Sequence, residues 1–175
     1  MIEEHESFDL PSPHRFTAGT IGEPGHRVFF LQAVGDAEVV TLKLEKQQVG
    51  ALAEYLARLL ADLPTPADQE VESVDVAFEA SIGPAWAVGT LGVAWDESSD
   101  RVVLVAEELV DDEAAEAAEE PAATDDVGSA RFRLTRAQVA AFVAHARELF
   151  AAGRPPCYLC GMPMDADGHA CPRLN

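Results

Sequence analysis

Hydrophobic residues recur along the chain with two different periods, and the switches between them mark out its elements. Short runs rich in Val, Phe and Thr, separated by Gly22-Glu23-Pro24-Gly25 and Gly35-Asp36, predict strands at about 15–21, 26–34 and 37–44. Val49, Leu52, Ala53, Leu56, Leu59 and Leu60 then fall at steps of three and four, the stripe of an amphipathic helix. Leu63-Pro64-Thr65-Pro66 ends that helix, because proline cannot supply the backbone donor a helix needs. Beyond it Val74, Val76, Phe78, Ala80 and Ile82 alternate with mostly polar residues, predicting one further strand. Strands follow at about 85–95, 101–110 and 130–134, and Val139, Phe142, Val143, Ala146, Leu149 and Phe150 form a second helical stripe.

The two halves of this pattern resemble each other. Phe8-Asp9 and Phe16-Thr17-Ala18-Gly19-Thr20-Ile21-Gly22 return as Phe78-Glu79 and Trp86-Ala87-Val88-Gly89-Thr90-Leu91-Gly92. After a longer turn, Arg27-Val28-Phe29-Phe30-Leu31 answers to Arg101-Val102-Val103-Leu104-Val105. After a second length change, Leu42-Lys43-Leu44 with Gln48-Val49 answers to Phe132-Arg133-Leu134 with Gln138-Val139. Ordered matches whose length changes all fall in turns predict a duplication, with copies at about 8–62 and 78–152.

The expected fold class is therefore α+β: tandem duplicated β-β-β-α units forming a mainly antiparallel sheet with two helices. Both Val28-Phe29-Phe30-Leu31 and Val102-Val103-Leu104-Val105 are apolar on both faces, so the second face of the sheet must also be covered. Curling toward a barrel would cover it, and so would a homodimer; the pattern does not choose. Thr135-x-x-Gln138 reads as a helix capping box and Glu45-x-x-Gln48 as its looser counterpart. Gly19 and Gly22, like Gly89 and Gly92, are expected at bulges or close sheet contacts, since no helix follows as in a phosphate loop.

Composition narrows the function classes. The 175 residues suit one domain with an appendage, here a body at 1–152 and a tail at 153–175. Twelve Lys and Arg stand against 31 Asp and Glu, a net charge of −19 that argues against phosphate backbones and anionic lipid. No apolar run reaches the ~20 residues of a membrane span. The acidic start Met1-Ile2-Glu3-Glu4-His5-Glu6 lacks the features of a secretory signal, so a cytoplasmic location is expected. Residues 107–127 hold ten Asp or Glu and no Lys or Arg, reading as a mobile, solvated insertion; a nucleic-acid mimic or a tail for a basic partner is the functional alternative.

Chemistry concentrates at the C-terminus. All three cysteines are there, in Cys157-Tyr158-Leu159-Cys160-Gly161 and Gly168-His169-Ala170-Cys171-Pro172. An odd, clustered set makes a poor disulfide framework and good metal ligands. In a zinc knuckle two thiolates three positions apart grip one ion, and a Gly after the second permits the left-handed turn; Gly161 stands there. Cys157, Cys160, His169 and Cys171 are thus the expected ligands of a structural Zn2+, four protein donors leaving no place for a reacting water. Metal binding would also supply folding free energy that so short and polar a tail cannot obtain from burial. Asp165 or Asp167 would substitute if the closely spaced His169 failed to reach; an unmetallated tail and a redox C-x-x-C are the competing readings.

Other candidates are weaker. Arg27 and Arg101 begin matching strands and would suit an anion between the copies, or simply pair with surface carboxylates. His14, His26 and His145 have no counterparts in the repeat, and no catalytic constellation can be assembled from the sequence.

Together, Phe16 to Gly22, Phe29-Phe30-Leu31-Gln32, Leu44-Glu45-Lys46-Gln47-Gln48-Val49 and the tail from Pro156-Cys157 to Pro172-Arg173 resemble an actinobacterial family of domain-of-unknown-function proteins, number 3090, over essentially the whole chain except the acidic loop. The resemblance implies a cytoplasmic bacterial protein, with histidine-phosphatase-like and lipid-kinase-like proteins encoded nearby as candidate partners, and supplies neither catalytic residues nor substrate. The leading expectation is a noncatalytic module that displays the zinc-stapled tail, with Tyr158, Leu159, Met162 and Met164, to a protein partner. The alternative is an enzyme or small-molecule binder with an anion site between the two repeats; nucleic acid ranks third, since Arg154 and Arg173 are the tail's only cations.

Overall fold

The computed structural model describes residues 6–65, 73–110, 127–165 and 167–174. Its elements follow in the order β1 (Phe8–Leu10), β2 (Arg15–Ile21), β3 (Val28–Val34), β4 (Val39–Leu44), α1 (Lys46–Asp62), β5 (Trp86–Asp96), β6 (Arg101–Glu108), β7 (Ser129–Leu134) and α2 (Arg136–Ala151). Three antiparallel strands and a helix thus occur twice in succession. The α+β class and the two helices stand as expected, and among the described residues no helix is long and apolar enough to cross a membrane. The acidic stretch at 111–126 lies outside the described residues.

All seven strands form one sheet in the order β1-β7-β6-β5-β4-β3-β2, antiparallel except at β1–β7 and β4–β5. The sequence order explains its curvature. Strands β1 and β2 lie at opposite edges, six strand spacings or ~29 Å apart if the sheet were flat. Only five Cα steps, at most ~17 Å, join Leu10 to Arg15. The sheet must therefore curl, and it does: Phe16 of β2 meets Phe132 of β7 with ring centroids 5.7 Å apart. Curling, one of the two expected ways of covering the sheet, brings its edges together within this chain.

The same concave face takes the helices. Phe142 of α2 sits 5.1 Å from Phe16, and the stripes Val49, Leu52, Ala53, Leu56 and Val139, Phe142, Val143, Ala146 are buried. Helix α2 also lies by the free edge of β2, where His145 Nε2 is 3.0 Å from Ala18 O. Covering that edge removes an exposed template for strand addition. Each helix carries at its third position a glutamine that accepts from the N-cap backbone, Gln48 from Glu45 at 2.8 Å and Gln138 from Thr135 at 2.9 Å. Each glutamine also donates away from its helix, Gln48 to Val88 O at 3.0 Å and Gln138 to Pro13 O at 2.6 Å. The capping residues therefore tie both helices to other parts of the chain.

One expected strand is not a strand. Residues 74–78 alternate in burial as expected, with Val74, Val76 and Phe78 half-buried and the residues between them exposed, but the alternation breaks at Ala80, which is exposed. The segment lies across the outer face of β2 and β3 instead of on a sheet edge, so side chains and not a backbone ladder hold it. Thr17 Oγ1 donates to Val76 O at 2.7 Å, Phe78 stacks on Phe30 at 5.8 Å, and Arg15 grips Asp75 at 3.1 Å and also Glu79. The seventh strand is β1, paired in parallel with β7. On the outer face of the second half, Val103 and Val105 remain half-buried beside exposed Arg131 and Arg133.

Candidate metal centre

The segment after α2 is built from turns. Helix α2 ends at its C-cap Ala152, and Pro155 and Pro156 follow within four residues. Two isolated bridges, Pro156 with Pro163 and Asp165 with Gly168, then fold the backbone back on itself twice. Cys157 N–H donates to Met162 O at 2.7 Å and Gly161 N–H to Cys157 O at 2.8 Å. Both reversals use glycine at positive φ, Gly161 at 74° and Gly168 at 90°, where a side chain would clash with its own backbone.

These reversals bring Cys157, Cys160, His169 and Cys171 together, with their ligand atoms all within 4.8 Å of one another. Cys157 Sγ lies 4.0 Å from Cys171 Sγ, and Cys160 Sγ 3.6 Å from His169 Nε2. A disulfide would need ~2.05 Å, so the sulfurs are free. An ion bonded to sulfur at ~2.3 Å and to nitrogen at ~2.0 Å gives tetrahedral edges near ~3.8 Å and ~3.5 Å. The donor set therefore fits a tetrahedral metal ion, and nothing larger than an ion fits between atoms so spaced. Cys157 and Cys171 are buried, while Cys160 and His169 are half-buried.

The electrostatics suit a cation. The Cys157 thiol is brought down to about 6 by its hydrogen bond with His169, then by the N–H groups of Cys160 and Leu159 that point at its sulfur. At Cys160 the Met162 N–H acts to lower the thiol, but burial and the neighbouring sulfurs of Cys171 and Cys157 together raise it. Crowded thiolates repel one another, and a divalent ion removes that repulsion. Neither aspartate named as a substitute joins the cluster: Asp165 is held by Arg154 at 2.9 Å, and exposed Asp167 stands outside it.

The other candidates are dispersed. Arg27 donates to Leu149 O at 3.3 Å and Ala152 O at 3.0 Å, at the C-terminus of α2. Arg101 follows Asp100, which pairs with Arg136 at the first residue of α2. The two arginines thus stand at opposite ends of a 16-residue helix, ~24 Å long, and do not form one anion site. The cleft between the halves is apolar instead, about 470 Å3 and lined by Leu52, Tyr55, Leu91 and Val93. His14 lies 3.9 Å from exposed Asp36, His26 is in the β2–β3 turn, and His145 lies on α2, so these three histidines are separate. Lys46 was not singled out by pattern, yet it lines a cleft against the tail together with Arg27 and Arg154; nothing in the periodicity of α1 distinguishes it from a solvated surface lysine.

Comparisons with curated proteins and with solved structures find no match. A family model described as a protein of unknown function (DUF3090) matches residues 8–171, from the first strand through the last of the four clustered side chains, and the chain belongs to that family.

Proposed function

We propose that the chain is a noncatalytic, zinc-containing protein-interaction module of the bacterial cytoplasm, in which a duplicated α+β body carries a zinc-stapled tail that docks a partner protein. Cys157, Cys160, His169 and Cys171 would hold the ion. Soft sulfur donors with one imidazole at tetrahedral spacing favour zinc, and a fully protein-ligated zinc organises the backbone instead of activating water. Duplication is supported by the repeated β-β-β-α order and by the matching glutamine caps at Gln48 and Gln138.

The observation that carries the partner reading is Tyr158, which lies between two ligands and is 87% exposed. Met162 and Leu174 are also exposed, whereas Leu159 and Met164 are half-buried. A tail fixed by metal presents such apolar groups at little entropic cost, and rigid aromatics are favoured anchors at interfaces.

The test compares the zinc-loaded full chain with a Tyr158→Ser/Met162→Ser variant shown to retain stoichiometric zinc. Each is used as bait, with cross-linking, in extract of the source cells. A specific partner captured by the native chain and lost by the variant is expected; equal capture by both removes the reading.

A further inference from the structure

We propose that the cleft between the body and the C-terminal tail binds a small phosphate monoester carried on a flat apolar group. The cleft measures about 290 Å3 and its walls include Arg27, Phe29, Lys46, Phe150, Arg154 and Pro163. Three of the chain's twelve Lys and Arg thus line one cavity of a protein with net charge −19, and among the described residues no Asp or Glu is part of its lining, Asp165 standing next to it on Arg154. Low-dielectric walls of one sign concentrate the field inside a cleft.

The cations differ in their commitments. Arg154 is neutralised by Asp165 at 2.9 Å. Arg27 is fixed by the two carbonyls at the end of α2, which its own charge offsets, and its buried Nε has no hydrogen-bond partner. Lys46 has no ion pair among the described residues; its Nζ sits 5.6 Å from the centroid of the Phe150 ring. Neither Arg27 nor Lys46 is paired with a carboxylate among the described residues, and two such charges match the ~−2 charge of a phosphate monoester better than a carboxylate. The freely rotating ammonium of Lys46 is the donor such a group would use, with the Arg27 guanidinium adding charge at the wall.

The apolar half of the site is equally specific. Phe29 and Phe150 stack with centroids 5.8 Å apart and an interplanar angle of 21°, and both line the cavity. A flat group on the phosphate would lie against them. The volume falls at the lower end of the ~300–1,000 Å3 typical of ligand pockets, so the occupant is small. One wall belongs to the tail: a Cβ on Gly25 of the β2–β3 turn would stand 3.3 Å from Arg154 Cδ, so turn and tail are already in contact. The site does not depend on a protein partner.

The experiment titrates the zinc-loaded full chain with phenyl phosphate, inorganic phosphate and phenol at low ionic strength, read by calorimetry and by amide shifts. Saturable binding of phenyl phosphate is expected, tighter than either fragment, with shifts at Gly25, Lys46 and Arg154. Lys46→Gln should weaken it about tenfold, Arg154→Gln less because Asp165 already offsets Arg154, and Lys43→Gln on β4 should leave it unchanged. Circular dichroism checks that each variant is folded, which exposed Lys46 and Arg154 should permit. Absence of saturation by about 10 mM phenyl phosphate, or equal affinity in the Lys46→Gln chain, overturns the site. Equal affinity for inorganic phosphate overturns the assignment to a monoester with a flat group.

Discussion

Gln32 and Glu79 exchange two hydrogen bonds across the outer face of the sheet: Gln32 Nε2 donates to Glu79 O at 3.1 Å, and Glu79 N–H donates to Gln32 Oε1 at 3.0 Å. Gln32 is fully buried and also donates to Thr41 Oγ1 at 2.9 Å. A side-chain amide here satisfies the backbone groups that a neighbouring strand would otherwise satisfy.

Replacing Gln32 with Leu should cost about 2–4 kcal/mol, since Glu79 loses the partner of both its backbone groups and Thr41 loses a donor. Urea unfolding would show it as a lowered midpoint. An unchanged midpoint would mean that residues 73–82 contribute nothing to folding through this contact.

A second variant probes the same overlay from the other side. A Cβ on Gly19 would overlap the Phe78 ring, so Gly19→Ala should destabilise the chain by about 1–3 kcal/mol. Adding Phe78→Ala should relieve the overlap, and the pair should therefore be less destabilised than the sum of the single changes. Strict additivity in a double-mutant cycle would refute the contact.

This overlay also shows how far sequence reasoning reaches. Alternation correctly placed Val74, Val76 and Phe78 against the protein, because burial periodicity is a local property of extended backbone. Whether that backbone pairs at an edge or crosses a face depends on distant groups such as Gln32 and Thr17, which no local pattern encodes. Three-residue β1 escaped for the same reason: Phe8 to Leu10 is a strand only because β7 lies beside it. The four clustered side chains were legible because short spacings and two glycines fix their geometry within fifteen residues of chain. The Lys46 cleft was not, since its walls come from the β2–β3 turn, both helices and the tail.

On the zinc reading proposed above, removing the ion should separate the tail from the body. The core cluster and the residues packed on it extend no further than Phe150, whereas the tail's order rests on turns around the four donors. Cys160→Ser, or chelation of the native chain, should collapse the amide dispersion of residues 156–174 and leave that of β2 to β7 in place. Metal content measured beside the spectra ties the two together. Tail resonances that keep their native positions without metal would show that packing, not coordination, orders this segment.

The acid side of the pH scale tests the donor set itself. Cys157 sits at about 6, lowered first by His169 and then by backbone N–H groups, and unfolding returns it to the ordinary thiol range near ~8.5. Its folded value is depressed, so the stability it contributes is fully present above the unfolded value and is lost as the pH falls through about 6. Coordination adds to the forces that already favour the thiolate, so the bound ion should persist to a pH below that value. Cys160 moves the other way and must lose its proton to coordinate, which makes affinity climb with pH across the neutral range. Release followed with a chromophoric chelator between about pH 4 and pH 8 should therefore be fastest at the acid end. Release that is independent of pH, or that quickens as the pH rises, would remove the thiolates from the coordination shell and with them the reason for the tail's shape.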